Sequence, residues 1–223
     1  MSEFAEEVQN HDESYWDTYY RKKNEVNEKP FPSQFAVFSL SEMKARGISH
    51  VYEIGSGDGR DALFFAEFGQ TVIASDKSEA AISLLENHCR MHSGIKAMQH
   101  DVDESLAKIV IQPERPIAIY ARFLLHALER DKMERFLEAC SLVMDSGDSL
   151  FLEYRTDKDC LLPKVTEPHF REFYDPKMIV GKAKEFMLKI DYQVEGKGFA
   201  KWKGDDAYVA RQIFVKSNLK SAE

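Results

Sequence analysis

The chain has no apolar run long enough to cross a bilayer, which excludes a span by a hydrophobic helix. Its first residues, Met1-Ser2-Glu3-Phe4-Ala5-Glu6-Glu7, are acidic and lack the apolar centre of a secretory leader. Cysteine is scarce. Cys89, Cys140 and Cys160 are odd in number and far apart, which argues against a disulfide framework or a zinc knuckle. They suit a reducing compartment, and a cytoplasmic protein is expected. There is no excess of positive charge: 30 Lys and Arg face 38 Asp and Glu, for a net charge of −8. A duplex-binding enzyme more often carries a basic face, so nucleic acid is not an expected partner. Repeats and low-complexity tracts are absent. With 223 residues, one α/β domain with a full core is expected.

What the sequence does have is a crowded glycine turn. Val51-Tyr52-Glu53-Ile54 reads as a buried strand. Gly55-Ser56-Gly57-Asp58-Gly59 follows, then a helix from Arg60. Alternate glycines let the backbone take positive φ and let a ligand approach without a Cβ in the way. Strand, turn and helix N-terminus describe the nucleotide-binding corner of an open parallel sheet. The turn is not a dinucleotide fingerprint, because Arg60 stands where G-x-G-x-x-G needs its third glycine. A second strand, Thr71–Asp76, ends in a carboxylate that can accept both ribose hydroxyls. A third, Ile95–Gln99, leads into His100-Asp101-Val102.

The other elements follow from periodicity and punctuation. Asp12–Lys23 reads as a helix crowded with Tyr15, Trp16, Tyr19 and Tyr20, which pair at i,i+4 and cover a wide face. Asn27–Pro32 reads as a linker. Ser33 caps a helix running to Gly47, and Leu63, Phe64, Phe65 and Phe68 supply the buried face of the helix after the turn. A helix from Ser78 to about His92 carries His88 and His92 at i,i+4, read as solvated surface; no metal site is expected. Strand four covers Ile117–Tyr120, a helix covers Asp131–Met144, and strand five covers Ser149–Thr156. The Pro-punctuated stretch Asp157–Tyr174 holds His169 and Arg171, and loops this long in compact domains are usually functional. Asp175-Pro176 starts a helix to about Leu188, and Ile190–Trp202 with Ala207–Lys216 forms a terminal hairpin.

The pattern E-x-G-x-G-x-G, starting at Glu53, resembles motif I of class I S-adenosylmethionine-dependent methyltransferases. The departures are slight: Glu53 stands for the commoner Asp, and Ser56 for Cys or Thr. The resemblance spans roughly Phe35 to Val215. It implies a Rossmann-like three-layer α/β sandwich, a mostly parallel seven-stranded sheet with a C-terminal antiparallel hairpin. One domain would cover residues 1–223, with 12–46 as an N-terminal helical lid. It also implies S-adenosyl-L-methionine as cofactor. Glu53, Gly55, Ser56, Gly57 and Gly59 would hold its methionine end. Asp76 with Lys77 would take the ribose, and Asp101 with Val102 the adenine. Trp16, Tyr20 and Arg122 would complete the cofactor site.

A narrower likeness joins Tyr15-Trp16, Pro32-Ser33-Gln34-Phe35, Gly57–Asp61, Ala121–Ala127 and Glu153-Tyr154-Arg155-Thr156. It resembles small bacterial methyltransferases of capsule and O-antigen synthesis, which implies a small-molecule or surface-glycan acceptor. An alcohol acceptor must lose a proton, and His126 is the candidate general base, with His169 second. Arg155 and Arg171, with Tyr15 and Tyr19, are expected to meet the substrate, the arginines gripping a carboxylate or phosphate. Two other readings stand beside this one. A nucleic-acid methyltransferase lacks support, since Tyr120-Ala121-Arg122-Phe123 replaces the N-P-P-Y motif and no Pro-Cys nucleophile pair occurs. A cofactor-binding fold without transfer activity is the other.

Overall fold

A computed structural model describes residues 15–23, 31–90, 92–102, 104, 106, 115–166 and 168–217. The expected fraying of residues 1–11, the first turn of the aromatic helix and most of the 27–32 linker lie outside the described residues.

Residues 15–23 are helical (α1). Then come α2 (Gln34–Ala45), β1 (His50–Ile54), α3 (Arg60–Glu67), β2 (Thr71–Asp76), α4 (Glu79–Cys89) and β3 (Ile95–Gln99). After β4 (Ile117–Arg122) and a 3₁₀ turn at Leu125–Ala127 come α5 (Arg130–Val143), β5 (Ser149–Arg155) and α6 (Pro176–Glu185). The chain closes with β6 (Leu188–Gly196), the short strands β7 (Lys201–Trp202) and β8 (Asp205–Asp206), and β9 (Val209–Lys216). The seven-stranded sheet has the order β3-β2-β1-β4-β5-β9-β6. Its first five strands are parallel, and β9 runs antiparallel between β5 and β6.

Side-chain alternation along the strands builds the three layers. On β4, Ala118 and Tyr120 face the cluster that holds Phe35, Met43, Phe65 and Leu85 from α2, α3 and α4. Ile117, Ile119 and Ala121 face the opposite cluster, with Met133, Phe136, Leu137 and Ile179 from α5 and α6. Strands buried on both faces read as continuous apolar runs, which is why β4 was legible as one.

The caps stand where the sequence places them. Ser33 Oγ accepts from the Ala36 amide at 2.9 Å, and Asp175 Oδ1 accepts from Lys177 at 2.9 Å with Pro176 at the first helical position. Four expectations are corrected. Phe68 is 55% exposed, because it caps α3 instead of lying on its inner face. The helix α6 stops at Glu185, since Met187 turns the chain at φ 62° and Leu188 already starts β6. The long strand 190–202 is two strands, and the expected turn at 203–206 is the tip of the small β7–β8 ribbon. His88 and His92 are not paired on α4, which ends at Cys89; His88 Nδ1 instead lies 3.2 Å from the Asp58 carbonyl.

Candidate functional site

One cavity of about 280 Å³ opens at the carboxyl ends of β1, β2, β3, β4 and β5. Strand order reverses between β1 and β4, the place where open α/β sheets bind ligands. The glycine turn forms the floor. Gly55, Gly57 and Gly59 all take left-handed φ, at 73°, 56° and 75°. The amides of Gly55 and Ser56 both donate to the Ser75 carbonyl, at 2.8 and 2.9 Å, and lash the turn to β2. Gly59 is the N-cap of α3 and lies outside the lining. A Cβ there would come within 2.0 Å of Leu85 Cδ1. Its lack of a Cβ lets α3 pack against Leu85 of α4.

Acids stand around this floor. Glu53 is 3% exposed, and its Oε2 has no hydrogen-bond partner among the described residues. Burial raises its carboxyl well above the ordinary range, and the charges of Asp61 and Asp58 add to the shift. Asp76 accepts from the Gly57 amide through Oδ2 and from the Ser78 amide through Oδ1, both at 2.9 Å. Burial pushes this carboxyl up while those two amides oppose the rise. Lys77, Asp101 and Val102 line the same side.

The helix α1 roofs the cavity. Trp16, Tyr19 and Tyr20 line it, and Tyr20 Oη sits so close to Gly57 that a Cβ there would be 2.3 Å away. Two polar contacts hold the roof. Lys23 Nζ meets Asp58 at 2.6 Å. Asp17 Oδ1 accepts from Ser78 Oγ at 3.0 Å and from the Ala80 amide at 3.1 Å, at the first turn of α4. Tyr15 does not line the cavity. Its ring stacks on His169 at 4.2 Å and ties α1 to the 157–174 segment.

The far end gathers the remaining expected residues: Arg122, His126, Arg155, His169 and Arg171 all line it. Their partners differ. Arg122 Nε donates to Glu153 Oε1 at 2.9 Å, and its guanidinium lies 4.2 Å over the Phe123 ring. Arg155 donates to Asp159 at 2.7 Å and also to Asp205. That double ion pair ties β5 to the β7–β8 ribbon, while Arg155 still lines the cavity. Among the described residues Arg171 donates to Thr166 Oγ1 and to His169 Nδ1, the latter at 3.2 Å. No carboxylate pairs with it among the described residues. Burial and the nearby Arg155 charge lower its affinity for its proton.

His126 is 3% exposed. Its Nδ1 accepts from the Arg155 amide at 3.4 Å, which puts the ring proton on Nε2. Burial drives its pKa far down, and the charges of Arg155, Arg171, His169 and Arg122 drive it further. Its place at the far end of the cavity, beside Arg155 and Arg171, is where the sequence expectation puts it.

Several lining residues were not singled out from the sequence. Phe123 takes φ 58°, costly for a bulky residue, and places its ring beside both Arg122 and Arg155. Trp202 and Asp205 arrive on the ribbon, and Lys23 on the end of α1. Lys23 alone had a readable cue, a cation at the last turn of an aromatic helix.

An ammonium suits the unpartnered Glu53 oxygen, a ribose suits Asp76, and an aromatic roof suits a flat base. Residues 51–147 match a family described as a methyltransferase domain. No curated protein matches the chain. Among solved structures, a SAM-dependent methyltransferase from Anabaena variabilis superposes with TM-score 0.69 at 18% identity, over 92% of this chain and 94% of that one. The CcbJ methyltransferase from Streptomyces caelestis gives 0.65 at 14%, over 87% and 94%. Magnesium protoporphyrin IX methyltransferase from Synechocystis, with bound SAM, gives 0.61 at 12%, over 82% and 79%. At these identities the likeness establishes the fold. Residues 51–147 thus carry a methyltransferase domain, which supports a SAM-dependent methyltransferase with S-adenosyl-L-methionine as its cofactor. Among the described residues no helix is long and apolar enough to cross a membrane.

Proposed function

We propose that this enzyme methylates an oxygen of a small anionic or sugar-linked acceptor. The observation that carries the reading is Arg171, half-buried at the far end with only neutral side chains on its guanidinium among the described residues. A buried cation without a counter-charge favours an anionic ligand. The roofed cavity favours a small one, and with the net charge of −8 speaks against nucleic acid. The likeness to capsule and O-antigen enzymes, carried by sequence motifs alone, favours an acceptor from surface-glycan synthesis. Three free cysteines fit a cytoplasmic location. If Arg171 anchors the acceptor, Arg171→Ala raises acceptor KM about tenfold and leaves kcat within a few-fold. An unchanged KM in steady-state assays contradicts this role.

The bound cofactor supplies an activated methyl group on a sulfonium. The chain's residues hold, align and dry the site. In this reading Glu53 pairs with the methionine ammonium, Asp76 accepts from the ribose hydroxyls, and Asp101 and Val102 border the adenine. The helix α1, with Trp16 and Tyr20, is a lid, and Tyr19 borders the acceptor. Asp17→Ala should loosen this lid and weaken cofactor binding about threefold to tenfold by calorimetry. Wild-type affinity would remove the latch from the account.

Glu53 gives a test with a worked sign. Its carboxyl is raised in the fold. It therefore contributes stability below its unfolded pKa, and that contribution is lost as pH rises through the folded pKa. Once ionised, its charge is a cost that an ammonium relieves. Glu53→Gln should raise the melting temperature of the cofactor-free enzyme and weaken affinity for S-adenosylhomocysteine about tenfold. In the wild type, affinity should fall as pH drops through that raised pKa. Lower stability with unchanged affinity would refute the assignment.

A further inference from the structure

The helix α1 touches both halves of the cavity. Toward the cofactor half, Tyr20 Oη abuts Gly57, Lys23 meets Asp58 at 2.6 Å, and Asp17 accepts from Ser78 Oγ and the Ala80 amide. Toward the other half, the Tyr15 ring stacks on the His169 imidazole, with centroids 4.2 Å apart and planes 25° from parallel. Trp16 meets the same imidazole edge-on at 5.1 Å and also stacks on Tyr20 at 6.2 Å. His169 in turn presents Nδ1 to Arg171 Nη2 at 3.2 Å. A continuous string of side chains thus runs from the glycine turn, along α1, to the guanidinium of Arg171. Residues 168–173, at the end of the string, form neither helix nor strand. Their downstream side is fixed: the Glu172 amide donates to the His126 carbonyl at 2.9 Å, and Tyr174 Oη donates to the Leu128 carbonyl at 2.7 Å. Upstream, the His169 ring is clasped by α1. A helix moves as one body, so whatever docks it at Tyr20 also seats Tyr15.

We propose that Tyr15 is a positioning residue that couples the two halves: a cofactor bound beneath α1 seats the helix, and the Tyr15–His169 stack then sets Arg171 for the acceptor. This coupling rests on the cofactor and acceptor roles proposed above and adds a linkage between the two ligands. Tyr15 does not line the cavity, so it acts through His169 and not on a ligand. Its ring offers a flat face to the imidazole, and aromatic pairs at this spacing attract beyond the area they bury. When α1 is not seated, His169 loses that support and Arg171 loses a neighbour that orients it. Linkage is reciprocal, so an anion on Arg171 strengthens cofactor binding by the same factor that the cofactor strengthens anion binding. The stack needs the ring and not the hydroxyl, which separates Tyr15→Phe from Tyr15→Ala.

The test uses the full chain and hydrogen exchange read by mass spectrometry, with and without saturating S-adenosylhomocysteine. In the wild type the ligand should slow exchange about fivefold or more, both over the glycine turn at residues 53–60 and over residues 168–173. In Tyr15→Ala the turn should keep its added protection while residues 168–173 lose theirs, and Tyr15→Phe should behave as the wild type. A Tyr15 that only stabilised the fold would leave the gain at 168–173 intact once the ligand is saturating. Inorganic phosphate probes the Arg171 end. Its calorimetric Kd should fall about fivefold when S-adenosylhomocysteine is bound, and that drop should vanish in Tyr15→Ala. No added protection at 168–173 in the wild type overturns the proposal, as does a gain that Tyr15→Ala retains or that Tyr15→Phe lacks. The parent reading fails in a different way. If S-adenosylhomocysteine does not bind the wild type, the cofactor assignment falls and the coupling with it. If phosphate does not bind, or Arg171→Ala leaves its affinity unchanged, the anion anchor falls, and exchange at 168–173 still decides the coupling.

Discussion

Asp76→Ala should reduce affinity for S-adenosylhomocysteine about a hundredfold or more. The carboxylate closes β2 at the floor of the cavity and already accepts two amides, from Gly57 and Ser78. Its remaining lone pairs are available for the ribose hydroxyls. Hydrogen bonds to a charged acceptor contribute about 1.5–3 kcal/mol each, so losing two removes about 3 kcal/mol or more. The substitution also frees the two amides that brace the glycine turn, which costs stability. Melting temperature and calorimetric Kd must therefore be read together. A modest drop in melting temperature with a large loss of affinity fits the assignment. Unchanged affinity in a folded variant would reject it.

Asp61→Ala should destabilise the fold by about 3–5 kcal/mol, the largest stability effect expected here. Asp61 is buried and accepts from the Ser33 amide and Ser33 Oγ, both at 2.7 Å, and from Tyr120 Oη at 2.8 Å. It joins the cap of α2, the start of α3 and the centre of β4. Removing it leaves three buried donors without their acceptor, each costing about 1–3 kcal/mol. The pH dependence has a definite sign. Burial alone would raise this carboxyl, but the Arg122 and Arg60 charges and the Ser33 bonds outweigh it and hold its pKa down. Its contribution is present above the unfolded pKa and is lost as pH falls through the lower folded pKa. Denaturant unfolding at neutral pH checks the magnitude. A loss under about 1 kcal/mol would show that the hub is not the brace described.

The two variants separate what the sequence disclosed from what it hid. Asp76 was readable because its evidence is local: an apolar β-prone run ending in an acid, one helix after a glycine turn. The sheet was readable for the same reason, with β2 and β3 ending where the pattern said. Asp61 sits inside the same motif, yet nothing in the sequence joins it to Ser33, 28 positions earlier, or to Tyr120, 59 positions later. The partner of Arg155 was hidden in the same way: its position at the end of β5 was legible, but it pairs with Asp205, 50 positions away on a ribbon that the sequence pattern did not show. Gly59 shows a subtler limit. Motif spacing marks a position that must lack a Cβ, but only packing reveals that Leu85 is what the Cβ would strike. Electrostatic surroundings were the least legible: the sequence does not show that burial and the Arg155, Arg171, His169 and Arg122 charges gather around His126 and lower its pKa.

The most direct test of the central claim is a crystal structure of the chain with S-adenosylhomocysteine. The account expects the ligand ammonium against Glu53, its ribose hydroxyls on Asp76, and its adenine beside Asp101 and Val102 beneath α1. A ligand seated elsewhere, or Asp76 still bonded only to the Gly57 and Ser78 amides, would contradict it.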